Sequence, residues 1–508
     1  LNAAARLDFH ARSDPAGLAL VDDPSGRTWT WADLLADVER AQCGLAELGI
    51  GAGERLGLLT WNRPEFVVLH LACLRAGVIP ALYNMRWGAD ELRHAVADAD
   101  PVALVGEGSS GAVIEAALAD HRATAILIPA EDGEPSPALE RLLGARGEAP
   151  PAVDRADDDL AEIMYTSGTS GRPKGVLHHH GHHLANSAAL IDHFVLRRGD
   201  VGLAPFPLFH QSGQTVWSVA LGLGGPLVLT RRWQRGDFAR LLREHRVTYT
   251  HLISTAVNDL AADRELETDP EGTLRLTLFG GGQTSDLQAL AYEERFGGVL
   301  CSGYGRSEGG YCWEDPDRER RRFDRNGRPL RGTAELIILG PEGERLGAGG
   351  TGEIRMRGDS VSPGYWRRPD LDEVSFDADG FMLTGDLGSF DEEGCLTFRG
   401  RADRMIKSGG ENVHPSEVEE ALLRMPSVAA VAVVGIPDER LSERIAAAVV
   451  LRGADVDALE TWCRENMAGF KRPRTIAALD ELPLLGSGKV DYAAVTERLV
   501  ATPKEEAR

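Results

Sequence analysis

The 508-residue chain is too long for a single hydrophobic core, so two or more domains are expected. Its net charge of -23 argues against a general nucleic-acid binder, because phosphate backbones attract basic surfaces, and no apolar run approaches the roughly 20 residues that span a bilayer. Cys43, Cys73, Cys301, Cys312, Cys395 and Cys463 are scattered without a CxxC pair, and LNAAARLDFHARSDP at the start lacks an apolar signal core; both point to reduced thiols in a cytoplasmic protein.

From 30 to 130, helix-like amphipathic stretches alternate with the short apolar runs RLGLLT (55–60), PVALVGEG (101–108) and TAILIPA (124–130). Runs of that length between helices predict buried parallel strands, hence an α/β domain. A polar, Pro- and Glu-rich loop is expected at 131–158, followed by a strand at LAEIMY (160–165). Alternation resumes through GPLVLT (225–230), VTYTHLIS (247–254) and LRLTLFGGG (274–282). Beyond 330 the pattern changes to the short β-rich segments AELIILG, GEIRMRG and CLTFRG, broken by Gly and Asp turns.

GRADRMIKSGG (400–410) combines charge with paired glycines and reads as a hinge between region 1–400 and a unit at 401–508. In that unit SEVEEALLRM predicts a helix capped by Ser416 with Glu419 three residues on. VAAVAVVGI (428–436) and IAAAVVL (445–451) read as strands, and ALETWCRENM (458–467) as a helix. The expected fold class is α/β: a large N-terminal region of several subdomains and mixed sheets, with a small mobile α+β C-terminal domain.

The strongest chemical signal is YTSGTSGRPKG (165–175), which follows an apolar strand and leads towards a helix, as a phosphate-cradling loop does. Gly168, Gly171 and Gly175 let the backbone turn and expose N–H groups. Thr166, Ser167, Thr169 and Ser170 add hydroxyl donors, and Lys174 a mobile charge. A flexible Ser/Gly linker is the bland alternative. Against it, the chain has only five lysines (Lys174, Lys407, Lys471, Lys489 and Lys504) beside 50 arginines. A lysine kept against that bias marks a site that wants a compact ammonium rather than a planar fork. The loop is not a Walker A motif, since no Gly-Lys-Ser/Thr follows four spacer residues.

This loop resembles the signature of the adenylate-forming superfamily: acyl- and aryl-CoA ligases, peptide-synthetase adenylation domains and luciferases. Several further motifs follow in the superfamily's order, so the similarity covers essentially the whole chain. The resemblance implies ATP- and Mg2+-dependent conversion of a small-molecule carboxylic acid to an acyl-adenylate. It assigns catalytic roles to Thr166, Lys174, His210, Glu308 and Lys489, and contact with ATP to Thr166, Ser167, Gly168, Thr169, Ser170, Gly171 and Lys174.

FGGGQTS (279–285), with Gly280, Gly281, Gly282 and Gln283, resembles the glycine-rich turn lining the acyl and adenine pockets. In SGYGRSEGG (302–310) Tyr304 would stack on adenine, Ser307 stands where threonine is commoner, and Glu308 would hold Mg2+. Gly305-Arg306-Ser307-Glu308-Gly309 also fits the G-x-S-x-G elbow of hydrolases, but YCWEDPDRERRRF follows without an apolar helical period and only His414 lies downstream. Asp386 in FMLTGDLGSF would accept from the ribose hydroxyls, with Arg401 beside the nucleotide and Asp403 as the hinge; Arg404 departs from the usual second aspartate. Lys489, in PLLGSGKVDY, aligns with the adenylation lysine, although Leu485 and Tyr492 are unusual neighbours.

For the acceptor, Arg86, Gly409, Gly410, Lys471 and Arg472 match positions where CoA ligases hold the CoA nucleotide or line the pantetheine tunnel. A solvated basic turn is the plain alternative for FKRPR (470–474). The acyl site would be lined by His210, Gln211, Gln214, Gly280, Gln283, Gly305 and Arg306, with Trp217 nearby. Its polarity points to a small aromatic or polar acid. ATP, Mg2+ and CoA are the expected small molecules; no nucleic acid or membrane span is expected, and a homodimer is left open. Alternatives are a non-thiol acceptor, as in an ATP-dependent diazotase activating nitrite for an aryl amine or an amide-forming ligase, and a silent nucleotide-binding protein. LHHHGHHLAN (177–186) invites a metal reading, but no neighbouring cysteine or carboxylate completes a site, and a helix with a partly exposed polar face is expected.

Overall fold

The computed structural model describes residues 2–129, 136–167, 172–282, 284–409, 411–438, 440–485 and 489–501. Four sheets organise them. The first runs, in spatial order, Thr124–Ile128, Ala103–Glu107, Arg55–Leu59, Ile79–Leu82, Leu160–Ser167 and Pro173–His179. All neighbours are parallel except the last pair. Leu56, Leu58, Ala81 and Leu82 are fully buried, as strands covered on both faces must be. One crossover is the helix Pro64–Ala76, started by proline at its first turn and ended by Gly77 at φ 69°, a left-handed position that glycine takes without a Cβ penalty. The expected loop at 131–158 contains a further helix, Pro137–Leu143, whose N-cap Ser136 accepts from Leu139 N–H.

The second sheet has nine strands, in the order Arg328–Pro329, Gly309–Trp313, Val299–Arg306, Leu276–Gly280, Tyr249–Ile253, Gly202–Ala204, Leu227–Leu229, Leu18–Asp22 and Arg27–Thr30. Its centre is parallel and its outer pairs antiparallel. A third, antiparallel sheet follows: Glu335–Leu339, Gly352–Arg357, Met382–Phe390 and Leu396–Arg401. The change from long alternation to short β-rich segments beyond residue 330 is this sheet.

The last sheet lies wholly after residue 405. Val428–Asp438 and Ser442–Leu451 form an antiparallel pair; Thr475–Ala478, in parallel, and Ile406–Ser408, antiparallel and itself paired with Glu411–Val413, both add to Ser442–Leu451. The helix Pro415–Leu423 starts two residues earlier than the capping pattern predicts, with His414 as N-cap. Ser416 instead donates to Arg399 O (2.6 Å), and Glu419 accepts from Val433 N–H (2.9 Å). This unit touches the rest through Gln288 Nε2 to Ala429 O (3.2 Å) and Arg86 Nη1 to Leu485 O (3.2 Å). All six cysteines are buried and unpaired, and among the described residues no helix is long and apolar enough to cross a membrane.

Candidate active site

Three of the sheets and the C-terminal unit meet at one charged cluster. The phosphate-loop motif spans two antiparallel strands, with Thr166 opposite Lys174 and Ser167 opposite Pro173, so it is a hairpin rather than a strand-to-helix turn. The helix His180–His193 begins only after the second strand. Gly168, Thr169, Ser170 and Gly171 lie outside the described residues, as do Gln283 and Gly410. The hairpin carries Lys174 to Glu308, Nζ to Oε1 3.2 Å.

Tyr365, which the sequence reading overlooked, completes a triangle. Its hydroxyl accepts from Lys174 Nζ (2.8 Å) and donates to Glu308 Oε1 (2.7 Å). It is placed by an antiparallel bridge to Val176 and by Trp366 N–H donating to Gly175 O. The local signal was the aromatic pair in PGYW, a turn next to an otherwise unremarkable edge.

Glu308 and Ser307 lie in the tight turn between the antiparallel strands Val299–Arg306 and Gly309–Trp313. No helix follows Ser307, so the hydrolase elbow is absent. Arg306 donates to Asp386 Oδ2 (2.9 Å) and Thr384 O (2.6 Å), with Nε 3.5 Å from Glu308 Oε2. Tyr304 donates to Asp386 Oδ2 (2.8 Å), and Phe398 stacks on its ring at 5.8 Å. Arg401, opposite Asp386 in the third sheet, approaches Asp386 Oδ1 at 3.4 Å and pairs with Asp403 at 3.3 Å. Arg404 lies over the Tyr492 ring, so two residues that depart from the superfamily pattern meet each other. Burial works to raise the Glu308 pKa, but Arg306, Lys174 and the Tyr365 hydroxyl outweigh it and hold the carboxyl well below its usual range. Glu308 is therefore a buried, ionised oxygen donor, which suits a hard divalent cation.

Lys489 reaches this cluster from the C-terminal unit. Its Cε lies 3.6 Å from where a Cβ would stand on Gly281, which has φ +81° and tolerates that approach because it lacks one. Ser254 Oγ braces the turn by donating to Gly280 O (3.3 Å) and Gly282 O (3.0 Å). Burial lowers the Lys489 pKa, reinforced by Arg306 and opposed by Glu308 and Asp386.

Of the acyl-site candidates, His210 is the N-cap of the helix Gln211–Leu223, which places Gln211 and Gln214 on its first turn. The CoA candidates are less gathered. Arg86 contacts Leu485 four residues before Lys489, and Gly409 has φ +61°. Lys471 pairs with Glu417, and Arg472 donates to Met467 O and Arg464 O at the end of the helix Val456–Asn466.

The histidine run differs from expectation. His178, in the second strand of the hairpin, and His180 and His182, in the first turn of the following helix, are buried, at 1%, 1% and 2% exposure. The carboxylate missing from the local sequence comes from the neighbouring strand: Glu162, fully buried, meets His70 Nε2 at 2.7 Å and His178 Nδ1 at 2.9 Å. His178 Nε2 lies 2.7 Å from Ser307 O, which can only accept. His178 Nε2 therefore donates to Ser307 O while Nδ1 meets Glu162, and the pair anchors the peptide next to Glu308. Glu162, His178 and His183 offer ligand atoms within 4.8 Å of one another, but both His178 nitrogens are already committed.

A fold of this kind, with phosphate hairpin, buried carboxylate and incoming lysine, defines an AMP-binding enzyme. The AMP-binding enzyme family model matches residues 7–366 and the AMP-binding enzyme C-terminal domain residues 417–489. The chain belongs to this family. It is 33% identical to feruloyl-CoA synthase of Amycolatopsis sp over 93% of this chain and 94% of that one, and 32% identical to sulfoacetate–CoA ligase of Cupriavidus necator over 96% of each. Among solved structures it superposes on ATP-bound MatB from Rhodopseudomonas palustris with a TM-score of 0.89 (31% identity, 98% of both chains), against 0.80 for apo MatB.

Proposed function

We propose that the protein uses ATP to convert a carboxylic acid into its acyl-adenylate and then transfers the acyl group to CoA. The observation that carries this reading is the approach of Lys489 to the Gly281 turn beside the Lys174–Glu308–Arg306–Asp386 cluster. Support for CoA comes from the relatives named as acid–CoA ligases and from Arg86 and Lys471. We divide the chain into a nucleotide-binding region to about residue 400 and a mobile unit at 401–508. A cytoplasmic setting agrees with six unpaired cysteines.

In the first half-reaction the acid's carboxylate attacks the α-phosphorus and pyrophosphate leaves. Lys489 stabilises the charge developing between carboxylate and phosphate, and Lys174 and Thr166 hold the departing phosphates. Glu308 would hold Mg2+, which supplies charge neutralisation on the phosphate oxygens. Asp386, with Arg401 beside it, accepts from the ribose, and Tyr304 offers its ring to the adenine. Rotation about Asp403 then withdraws Lys489 and admits the thiol past Gly409.

The test is pyrophosphate release across aryl, short-chain and inorganic acids including nitrite, with and without CoA. A CoA thioester formed with an organic acid is the expected product. Turnover indifferent to CoA would replace the acceptor while leaving adenylate chemistry in place.

A further inference from the structure

Beside the charged cluster lies a second polar interior that none of these steps uses. A cavity of about 10 Å3 sits between the helices His180–His193 and Gln211–Leu223, closed on one side by Tyr311 and Trp313. Around it His182 Nδ1, His183 Nε2, Asn186 Oδ1, Gln211 Oε1, both amide atoms of Gln214 and the Tyr311 hydroxyl make no hydrogen bond to the described residues. His182, Asn186 and Gln214 are each more than nine-tenths buried. Folded proteins leave few buried polar groups without partners, because losing water without replacement is costly. So many on one small cavity point to a ligand that pairs with them.

The cavity adjoins the reaction centre. Gln211 directly follows His210, and the Tyr311 ring occupies the space beside Gly305, where a Cβ would come within 2.3 Å of it. Among the described residues no lysine, arginine or carboxylate lines it. Burial pushes His183 down to about 3 and His182 well below its ordinary value, so both imidazoles are neutral near pH 7. Glu162 Oε1 stands 3.5 Å from His183 Nε2. A distal anion would find no cation there among the described residues, and Glu162 stands just behind His183. The free space is roughly that of one water, too little for a ring or an alkyl tail.

We propose that this cavity selects the acid: a short carboxylic acid whose distal end is uncharged and both donates and accepts hydrogen bonds, as a hydroxyl or amide does. The proposal rests on the adenylation reading and narrows it, setting aside the aromatic acids that the sequence left open. A site built to bond a substrate hydroxyl rejects the analogue lacking it far more strongly than an apolar pocket rejects an added one.

The experiment measures pyrophosphate release by the full chain with lactate, 3-hydroxypropionate and malonamate, against propionate, malonate, benzoate, octanoate and nitrite. At least one hydroxy or amide acid should exceed propionate in kcat/KM by about 10²-fold. Gln214→Leu should cut that ratio at least about tenfold, and Tyr311→Phe, which removes only a hydroxyl, should cut it in the same direction should the first variant fail to fold. Turnover led by propionate, malonate, benzoate, octanoate or nitrite, or a ratio untouched in the folded variants, overturns the cavity's role and leaves adenylation standing. No pyrophosphate from any acid overturns the adenylation reading itself.

Discussion

The Lys174–Glu308 cluster and the cavity beneath the helix His180–His193 are both polar and buried, and His178 joins them. It bonds Ser307 O on one side and stacks on His182 at 4.2 Å on the other. They are built on opposite rules. In the first, every charge has a partner: Lys174 and Tyr365 serve Glu308, while Tyr304 and Arg306 serve Asp386. In the second, the groups are neutral, and several of their polar atoms make no hydrogen bond to the described residues. Where charges are satisfied in advance, a ligand binds by exchange, and the arrangement suits chemistry common to all substrates. Where neutral groups wait for partners, the ligand is judged by what it supplies, and the arrangement suits discrimination.

The largest effect should come from removing the lysine that enters the charged cluster. Lys489→Ala is expected to slow pyrophosphate release by about 10²–10³-fold, the usual loss for one preorganised donor at a developing charge. Thioester formation from supplied acyl-adenylate should remain within a fewfold of normal. Rapid-quench assays of the two half-reactions check this, and equal loss in both would sink the role given to Lys489.

Next in size is the joint between the regions. Glu162→Gln keeps shape but strips the charge facing His70, His178 and His183, and should cost about 3–5 kcal/mol in urea unfolding, as breaking a buried pair does. Gln214→Leu in the neutral cavity removes unpaired groups without breaking a bond, so its cost should stay under about 1.5 kcal/mol. Equal costs would dissolve the distinction between the two interiors.

Acid should separate them as well. Burial lowers His180 to about 4, His183 to about 3 and His251 to about 4. Between about pH 6.5 and those values the unfolded chain binds protons that the fold refuses, so stability falls as pH drops. The slope is at most about 1.4 kcal/mol per pH unit for each imidazole. Glu308 acts with the same sign in a lower window: its folded value is depressed, so its contribution is full above about pH 4.3 and is lost only below. Thermal unfolding at pH 7, 5.5 and 4.5 should show a decline that His183→Gln flattens by one proton. An unchanged slope in that variant would place the acid sensitivity elsewhere.

How much of this was legible depends on how local each feature is. The glycines at 280–282, the Tyr304–Glu308 turn and Lys489 stand in short motifs whose residue types announce their chemistry, and the structure gathers them around one centre. The strands at Arg55–Leu59 and Leu276–Gly280 followed from apolar runs of strand length. Glu162 was hidden because a single carboxylate inside LAEIMY reads as noise in a strand; only pairing with the next strand sets it opposite His178. The helix start at Pro415 escaped for a related reason: Ser416 Oγ donates to Arg399 O, in another sheet, instead of accepting from an N–H of its own helix.

Tyr365 was equally hidden, and it supplies the mildest test. Tyr365→Phe keeps the ring under Lys174 and the bridge to Val176 but removes the hydroxyl joining Lys174 to Glu308. The direct Lys174–Glu308 pair at 3.2 Å remains, so the carboxylate stays ionised and the cluster stays assembled. The loss should be about tenfold or less in kcat/KM for ATP, the scale of one hydrogen bond to a charged group. Preference among acids should not move, because the hydroxyl belongs to the saturated side of the molecule. A change in acid preference would mean that the two interiors are coupled through the turn carrying Ser307 and Glu308, and that His178 transmits between them rather than dividing them.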